Sequence, residues 1–254
     1  MGNVLLDSKQ AEYTWAGRRY PRVTSILACL NKPALVPAAV KATALHIEGL
    51  VASGVDIDWQ DVKREYRRQW DRKAGDGTAV HLAIDAAING QDVEFELTPT
   101  QEAMMRQFYR WQRAFAPEYL ATEVAVFSDT HDYAGTADIL ARIDGRVLLI
   151  DSKTGYELWP VMALQLAAYG HAEFMVHSGS AQPLPALSGW AVLHLRPDSF
   201  ALREVRPDLR DLAWRGFLAA RAAHTWMEGD GKATDLVFDA PLLPTATFIP
   251  EEAA

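Results

Sequence analysis

The sequence predicts a mixed α/β fold, a central mixed β-sheet flanked by helices on both faces. Three observations predict it. Strand-period segments gather at 119–153 and again at 190–205, segments of helical spacing lie before, between and after them, and Asp144–Gly145 marks a two-residue hairpin turn inside the strand block. Strands in the middle with helical segments on either side favour a sheet covered on both faces.

In chain order, residues 13–23 (YTWAGRRYPRV) read as strand, turn and strand around Gly17, and Thr24 or Ser25 caps a short helix reaching Leu30. Pro33 and Pro37 interrupt, and a helix follows over 38–50. A basic helix spans 59–73; the glycines of GDG, 75–77, break it, and Thr78 N-caps a second helix ending at Ile88. Thr98 or Thr100 opens a long amphipathic helix through Phe115. A strand at 119–127, the turn SDTHD and the two strands around Asp144–Gly145 come next. Residues 158–175 read as a helix with Pro160 in its first turn, 178–188 as a loop, WAVLHL and FALREV as a hairpin, and 209–227 as the last helix. The 254 residues, 49% hydrophobic, suffice for a single domain with its core at about 75–227, a helical lead-in at 1–74 and an extended or partly disordered tail at 228–254.

Composition excludes several classes. One cysteine, Cys29, rules out a disulfide framework, a Cys-rich zinc site and a four-cysteine iron–sulfur cluster, and its expected place is the core. No apolar run is long enough to span a bilayer and the N-terminus lacks a signal-peptide pattern, so the expectation is a cytoplasmic protein without membrane contact. The only Gly–Lys pair, Gly231–Lys232, lacks the rest of a nucleotide-binding loop, so no nucleotide cofactor is expected. A net charge of −8 argues against a broad basic surface, and nucleic-acid contact must be local. One local run exists: KREYRRQWDRK, 63–73, carries six basic residues against two acidic ones. On a helix Arg64, Arg68 and Arg72 recur every four residues and share a face with Arg67, with Lys73 closing the run, so this face can follow a phosphate backbone or merely be solvated.

The hairpin places the chemistry. If Asp144 and Gly145 form the loop, Ile143 pairs with Arg146, 140 with 149 and 138 with 151, so Asp138 faces Asp151, and Lys153 points to the same side. Two adjacent carboxylates repel each other and lose hydration, which a divalent cation relieves; oxygen ligands on rigid strands suit Mg²⁺ or Mn²⁺. The alternative is a structural Asp–Lys ion pair, which leaves Asp138 without a partner.

With GTAD at 135–138, DSK thirteen residues on, QLAAY at 165–169 and GTAVH at 77–81, the sequence resembles the PD-(D/E)XK nuclease superfamily, in its RecB-type branch that includes many phage exonucleases. Ala137 stands where the family name has proline, and YPRVTSIL with KPALVPAAVKATA is similar to the lead-in of phage members. The resemblance implies a restriction-endonuclease-like core and a Mg²⁺- or Mn²⁺-dependent deoxyribonuclease that works on DNA without ATP. It implies metal ligation by His81, Asp138, Asp151 and the Ser152 backbone carbonyl, with Lys153 positioning the attacking water or stabilising the phosphorane. Gln165 and Tyr169 match an element that borders the site, and Glu123 matches an acidic position near it. Asp85, one turn beyond His81, can hold the imidazole or simply be exposed, while His131 and His194 are assigned to structure. The implied partners are DNA and, as separate chains, a recombinase, a single-strand-binding protein or a helicase, with a homo-oligomer open; the compartment would be the host cytoplasm if the chain is phage-encoded. Alternatives are a catalytically inactive DNA-binding or assembly module of the same fold, a structure-selective endonuclease, and a Mg²⁺-dependent enzyme acting on a small phosphate ester.

Overall fold

The computed structural model describes residues 4–7, 12–30 and 35–228. In order, the elements are β1 Leu5–Asp7, β2 Glu12–Trp15, β3 Arg18–Pro21, α1 Val23–Leu27, α2 Leu35–Ala52, α3 Trp59–Ile88, α4 Pro99–Phe115, β4 Glu118–Ser128, β5 Tyr133–Ile143 and β6 Arg146–Lys153. There follow α5 Val161–Gly170, β7 Phe174–His177, β8 Ser180–Pro183, β9 Gly189–Leu195, β10 Phe200–Glu204 and α6 Arg210–Glu228. A seven-stranded sheet runs β10-β9-β6-β5-β4-β7-β8, and β1–β3 form a small antiparallel sheet of their own. The large sheet is mixed because β6 and β9 run parallel while the other neighbours run antiparallel.

Helices cover both faces, as the alternation along each strand requires. On β6 and β9, Leu149, Trp190 and Val192 pack with α1, α5 and α6 through Ile26, Leu166 and Phe217. Their neighbours Leu148, Ile150, Ala191 and Leu193 pack the other way, against Val80 and Ile84 of α3 and Phe108 and Trp111 of α4. Each fully buried Leu or Ile of these layers contributes about 1.5–3 kcal/mol. The small sheet closes over the far end of β4, where Tyr13 and Tyr20 set their edges against Phe127 at 6.1 and 5.1 Å.

The hairpin forms in the predicted register, from Ile143 opposite Arg146 to Ile139 opposite Ile150. Asp144 and Gly145 both take positive φ, 48° and 75°, the backbone of a type I′ turn whose twist matches the strands. Thr98 caps α4 with a full capping box.

Other expectations fail for identifiable reasons. α3 is one helix of 30 residues and runs through GDG; Thr78 is no N-cap. Gly77 serves close approach instead, since a Cβ there would lie 3.3 Å from Thr154 Oγ1 at the end of β6. α5 ends at Gly170, and Phe174 and Met175, read as its last residues, belong to the strand β7 paired with β4. β8 lies within the segment expected to be loop. α2 begins at Leu35 because Pro37 falls in its first turn, where the missing N–H costs nothing. The N-cap of α1 is Arg22, without a side-chain cap, and not Thr24 or Ser25. Cys29 is exposed, not core: it follows α1 and its thiol reaches toward the Ala220 carbonyl at 3.5 Å. The segment 229–254 lies outside the described residues. No helix among the described residues is long and apolar enough to cross a membrane.

Candidate functional site

Strand register alone draws three carboxylates into a row. Thr122 pairs with Ile139 and Val124 with Ala137, which sets Glu123 level with Asp138. One step beyond the Ile139–Ile150 pair, Asp151 stands level with Asp138 on the other side. The row therefore crosses β4, β5 and β6. At the same level the side-chain alternation slips. The core residues facing α1, α5 and α6 are Ala121, Val124 and Val126 on β4 and Tyr133, Ala137 and Leu140 on β5, so each strand takes one step of three. Glu123 holds a left-handed φ of 44° at that level, a conformation that costs a non-glycine residue about 1–2 kcal/mol. The slip releases Glu123 and Asp138 from both hydrophobic layers, and strain of this kind is characteristic of functional sites.

His81 comes to the row from α3, with Nδ1 3.3 Å from Asp138 Oδ2. Ser152 donates to the same Oδ2 from its backbone N–H at 2.7 Å and its hydroxyl at 2.9 Å, and its Oγ lies 3.3 Å from His81 Nε2. His81, Glu123 and Asp138 each offer one ligand atom within 4.8 Å of the others. Asp151 belongs to the α5 side. It is 1% exposed, ion-paired with Lys153, and accepts from Gln165 Nε2 at 3.0 Å; that amide also donates to the Tyr169 hydroxyl at 3.0 Å. Gly135 makes room for Tyr169, because a Cβ there would sit 2.3 Å from the ring.

The electrostatics follow from burial around a carboxylate cluster. Burial pushes Asp151 up to about 7 although Lys153 pulls against it. Glu123 is exposed by area, yet the cleft walls desolvate its carboxyl, and with the charges of Asp138, Asp85 and Asp151 they push it up to about 8. Burial draws His81 down against the opposing pull of Asp138, and Lys153 reinforces the drop, so the imidazole is neutral at physiological pH and free to ligate. Burial would also lower Lys153, but Asp151 and Asp138 outweigh it and hold the ammonium above its usual value. Burial raises the Tyr169 hydroxyl well above the ordinary tyrosine range.

The row lies in a cleft of about 1410 Å³. Its walls carry Arg22 and Lys41, which lie in the N-terminal segments YPRVTSIL and KPALVPAAVKATA, whose likeness to a family lead-in implies no role for either cation. Tyr13, bonded to Thr136 Oγ1 at 2.6 Å, stands between the small sheet and the row. The basic run contributes less than its composition promised. Among the described residues, α3 lends the cleft only Gly77, Thr78, His81 and Leu82. Arg64 is exposed on that helix, and Arg68 is ion-paired with Asp61 and with Glu65 at 3.4 Å. The side chains of Arg67, Arg72 and Lys73 lie outside the described residues. Asp85 accepts from Asn89 Nδ2 at 2.9 Å and makes no hydrogen bond to His81; Asp138 and Ser152 hold the imidazole. His131 sets its edge against Trp214, and His194 lies 2.8 Å from the Gly155 carbonyl, both structural contacts.

The structure thus gathers His81, Glu123, Asp138, Asp151, Ser152, Lys153, Gln165 and Tyr169 at one place. It groups His81 and Asp138 with Glu123, whereas Asp151 is taken by Lys153 and Gln165. A neutral imidazole and two carboxylates are a donor set that can hold a divalent cation. No protein-family model and no curated protein matches the sequence.

Proposed function

We propose that this chain is a Mg²⁺- or Mn²⁺-dependent deoxyribonuclease that hydrolyses phosphodiester bonds from DNA ends without ATP, on a restriction-endonuclease-like core of the PD-(D/E)XK type. The observation that carries this reading is the row Glu123–Asp138–Asp151 across three neighbouring strands, with His81 at one side and Lys153 at the other.

His81, Glu123 and Asp138 would hold the metal, with Asp151 and the Ser152 carbonyl as further oxygens. When bound, such an ion lowers the pKa of a coordinated water and polarises the phosphate. The protein's own groups do the rest. Lys153 keeps its proton beside Asp151 and presents positive charge where the phosphate grows more anionic. Gln165 fixes the Asp151 carboxylate and Tyr169 fixes Gln165, so the pair is positioned by α5. Arg22 and Lys41 on the cleft wall meet backbone phosphates, which position a strand without reading bases. A wall of this kind supports cleavage without sequence recognition, and the end-directed part of the reading rests on the resemblance to phage exonucleases.

The test is digestion of linear DNA beside covalently closed circles of the same sequence, single-stranded and duplex, with Mn²⁺ or with EDTA. Loss of linear substrate with intact circles, abolished by EDTA, is expected. Discrete cuts in closed duplex circles would overturn the end-directed reading, and cleavage unaffected by EDTA would overturn the metal.

A further inference from the structure

The face of the sheet that carries Asp151 and Lys153 does not stop at β6. Asp151 is level with Val192 on β9, which pairs with Arg203 on β10, and Lys153 is level with His194, which pairs with Ala201. Just past the end of β9 comes Arg196, whose backbone N–H donates to the Ser199 carbonyl. His194, Arg196 and Arg203 therefore continue the Lys153 side of the sheet outward, past α5, into a second depression of about 450 Å³. Asp198 also borders it and is engaged by the Ser199 hydroxyl at 3.0 Å.

Tyr156 stands between the two hollows and borders both. Its loop is pinned: the Gly155 carbonyl meets His194 Nε2 at 2.8 Å and accepts from Arg196 Nη1 at 3.2 Å. Yet the Tyr156 side chain is 80% exposed, with the Arg196 guanidinium 4.7 Å from the ring centroid. A large apolar ring held out in water on an anchored loop, backed by a cation on one face, offers its other face to a flat partner. Trp159, 46% exposed, borders the cleft on the same loop.

We propose that Tyr156, backed by Arg196, is a stacking platform for an unpaired base of single-stranded nucleic acid, with Arg196 and Arg203 taking the phosphates of the strand beyond the cleft. Bases inside a duplex are already stacked on both faces, so away from duplex ends the platform selects single strands. The proposal takes the position of the scissile phosphate from the nuclease reading, but its own content is binding.

The experiment measures fluorescence anisotropy of a labelled mixed-sequence single strand, and of the matching duplex, on the full chain in EDTA. Tyr156→Ala is expected to weaken single-strand affinity about 10-fold or more, the loss of one stacked base, with duplex affinity essentially unchanged. Tyr156→Trp should retain affinity, and Trp226→Ala, an exposed ring on α6 away from both hollows, should have no effect. Unchanged single-strand affinity in Tyr156→Ala, an equal loss on duplex, or no single-strand binding by the unaltered chain would overturn the platform. Because binding is read without hydrolysis, a chain that binds through Tyr156 but never cleaves would sink the nuclease reading and leave the platform standing.

Discussion

Lys153→Ala exposes how Asp151, the buried carboxylate at the β6 end of the row, is held. In the intact protein Asp151 is raised to about 7 even with Lys153 against it. A carboxyl whose folded-state pKa lies above its ordinary value stabilises the fold most in its protonated form. That contribution is complete below about pH 4 and is lost as pH climbs through about 7. Across the interval from about pH 6 to about pH 8, ionising Asp151 costs the intact protein on the order of 1 kcal/mol of stability. Without the ammonium, which pulls against burial, its pKa rises further, and the same two-unit rise in pH costs roughly twice as much. Glu123, raised to about 8, adds to the pH slope of both proteins and largely drops out of the difference. The variant should therefore lose about 1 kcal/mol more than the intact protein between the two pH values, on top of a pH-independent loss of packing. Urea unfolding in EDTA at both pH values measures it. Equal pH slopes, or a shallower slope in the variant, would refute the account of Asp151.

Three further outcomes are expected. Because a metal must displace the proton that Glu123 holds up to about 8, Mn²⁺ affinity by calorimetry should rise between about pH 6 and about pH 8 with proton release, and Glu123→Gln should weaken binding and flatten that dependence; a pH-independent affinity in the intact chain contradicts this. Reversing Arg22 or Lys41 to glutamate should reduce the slope of log affinity against log salt by about 0.7 per contact for a single strand or 0.9 for a duplex. Arg68→Glu, already engaged by Asp61, should change it less, and the opposite ranking would return the phosphate path to α3. Gly135→Ala forces a methyl into the Tyr169 ring and should cost about 1–3 kcal/mol in urea unfolding, so an unchanged midpoint would mean the ring moves freely.

The site was more legible in the sequence than the helices around it. The pair Asp144–Gly145 dictates a turn with positive φ at both residues, and from that turn the register of β5 and β6 follows by counting. The same counting back from Ser128 opposite Tyr133 reaches Glu123 opposite Asp138, but SDTHD admits several turn lengths and does not fix the start of the count. The slip in alternation that frees both carboxylates has no local signature, since neither Glu123 nor Asp138 is a residue type that calls for an irregular backbone. GDG reads as a helix break by propensity; only the proximity of Thr154, distant in sequence, shows that Gly77 serves contact. Residues 158–175 are largely apolar, with Gln165, His171 and Glu173 as the polar exceptions, so periodicity could not divide α5 from β7. Arg22 and Lys41 reach the cleft through tertiary packing, while the conspicuous run on α3 spends part of its charge on its own acidic neighbours.

We propose that the carboxylate row performs metal-dependent phosphodiester hydrolysis. The most direct measurement is cleavage of an end-labelled DNA strand in Mn²⁺ by the intact chain and by Asp138→Asn and Asp151→Asn, with affinity for the same strand measured in EDTA. Hydrolysis by the intact chain and none by either variant are expected, with DNA affinity in the variants equal to or above that of the intact chain, since each loses a negative charge beside the proposed phosphate path. Cleavage by both variants at the intact rate, or none by the intact chain under any divalent cation, would contradict it.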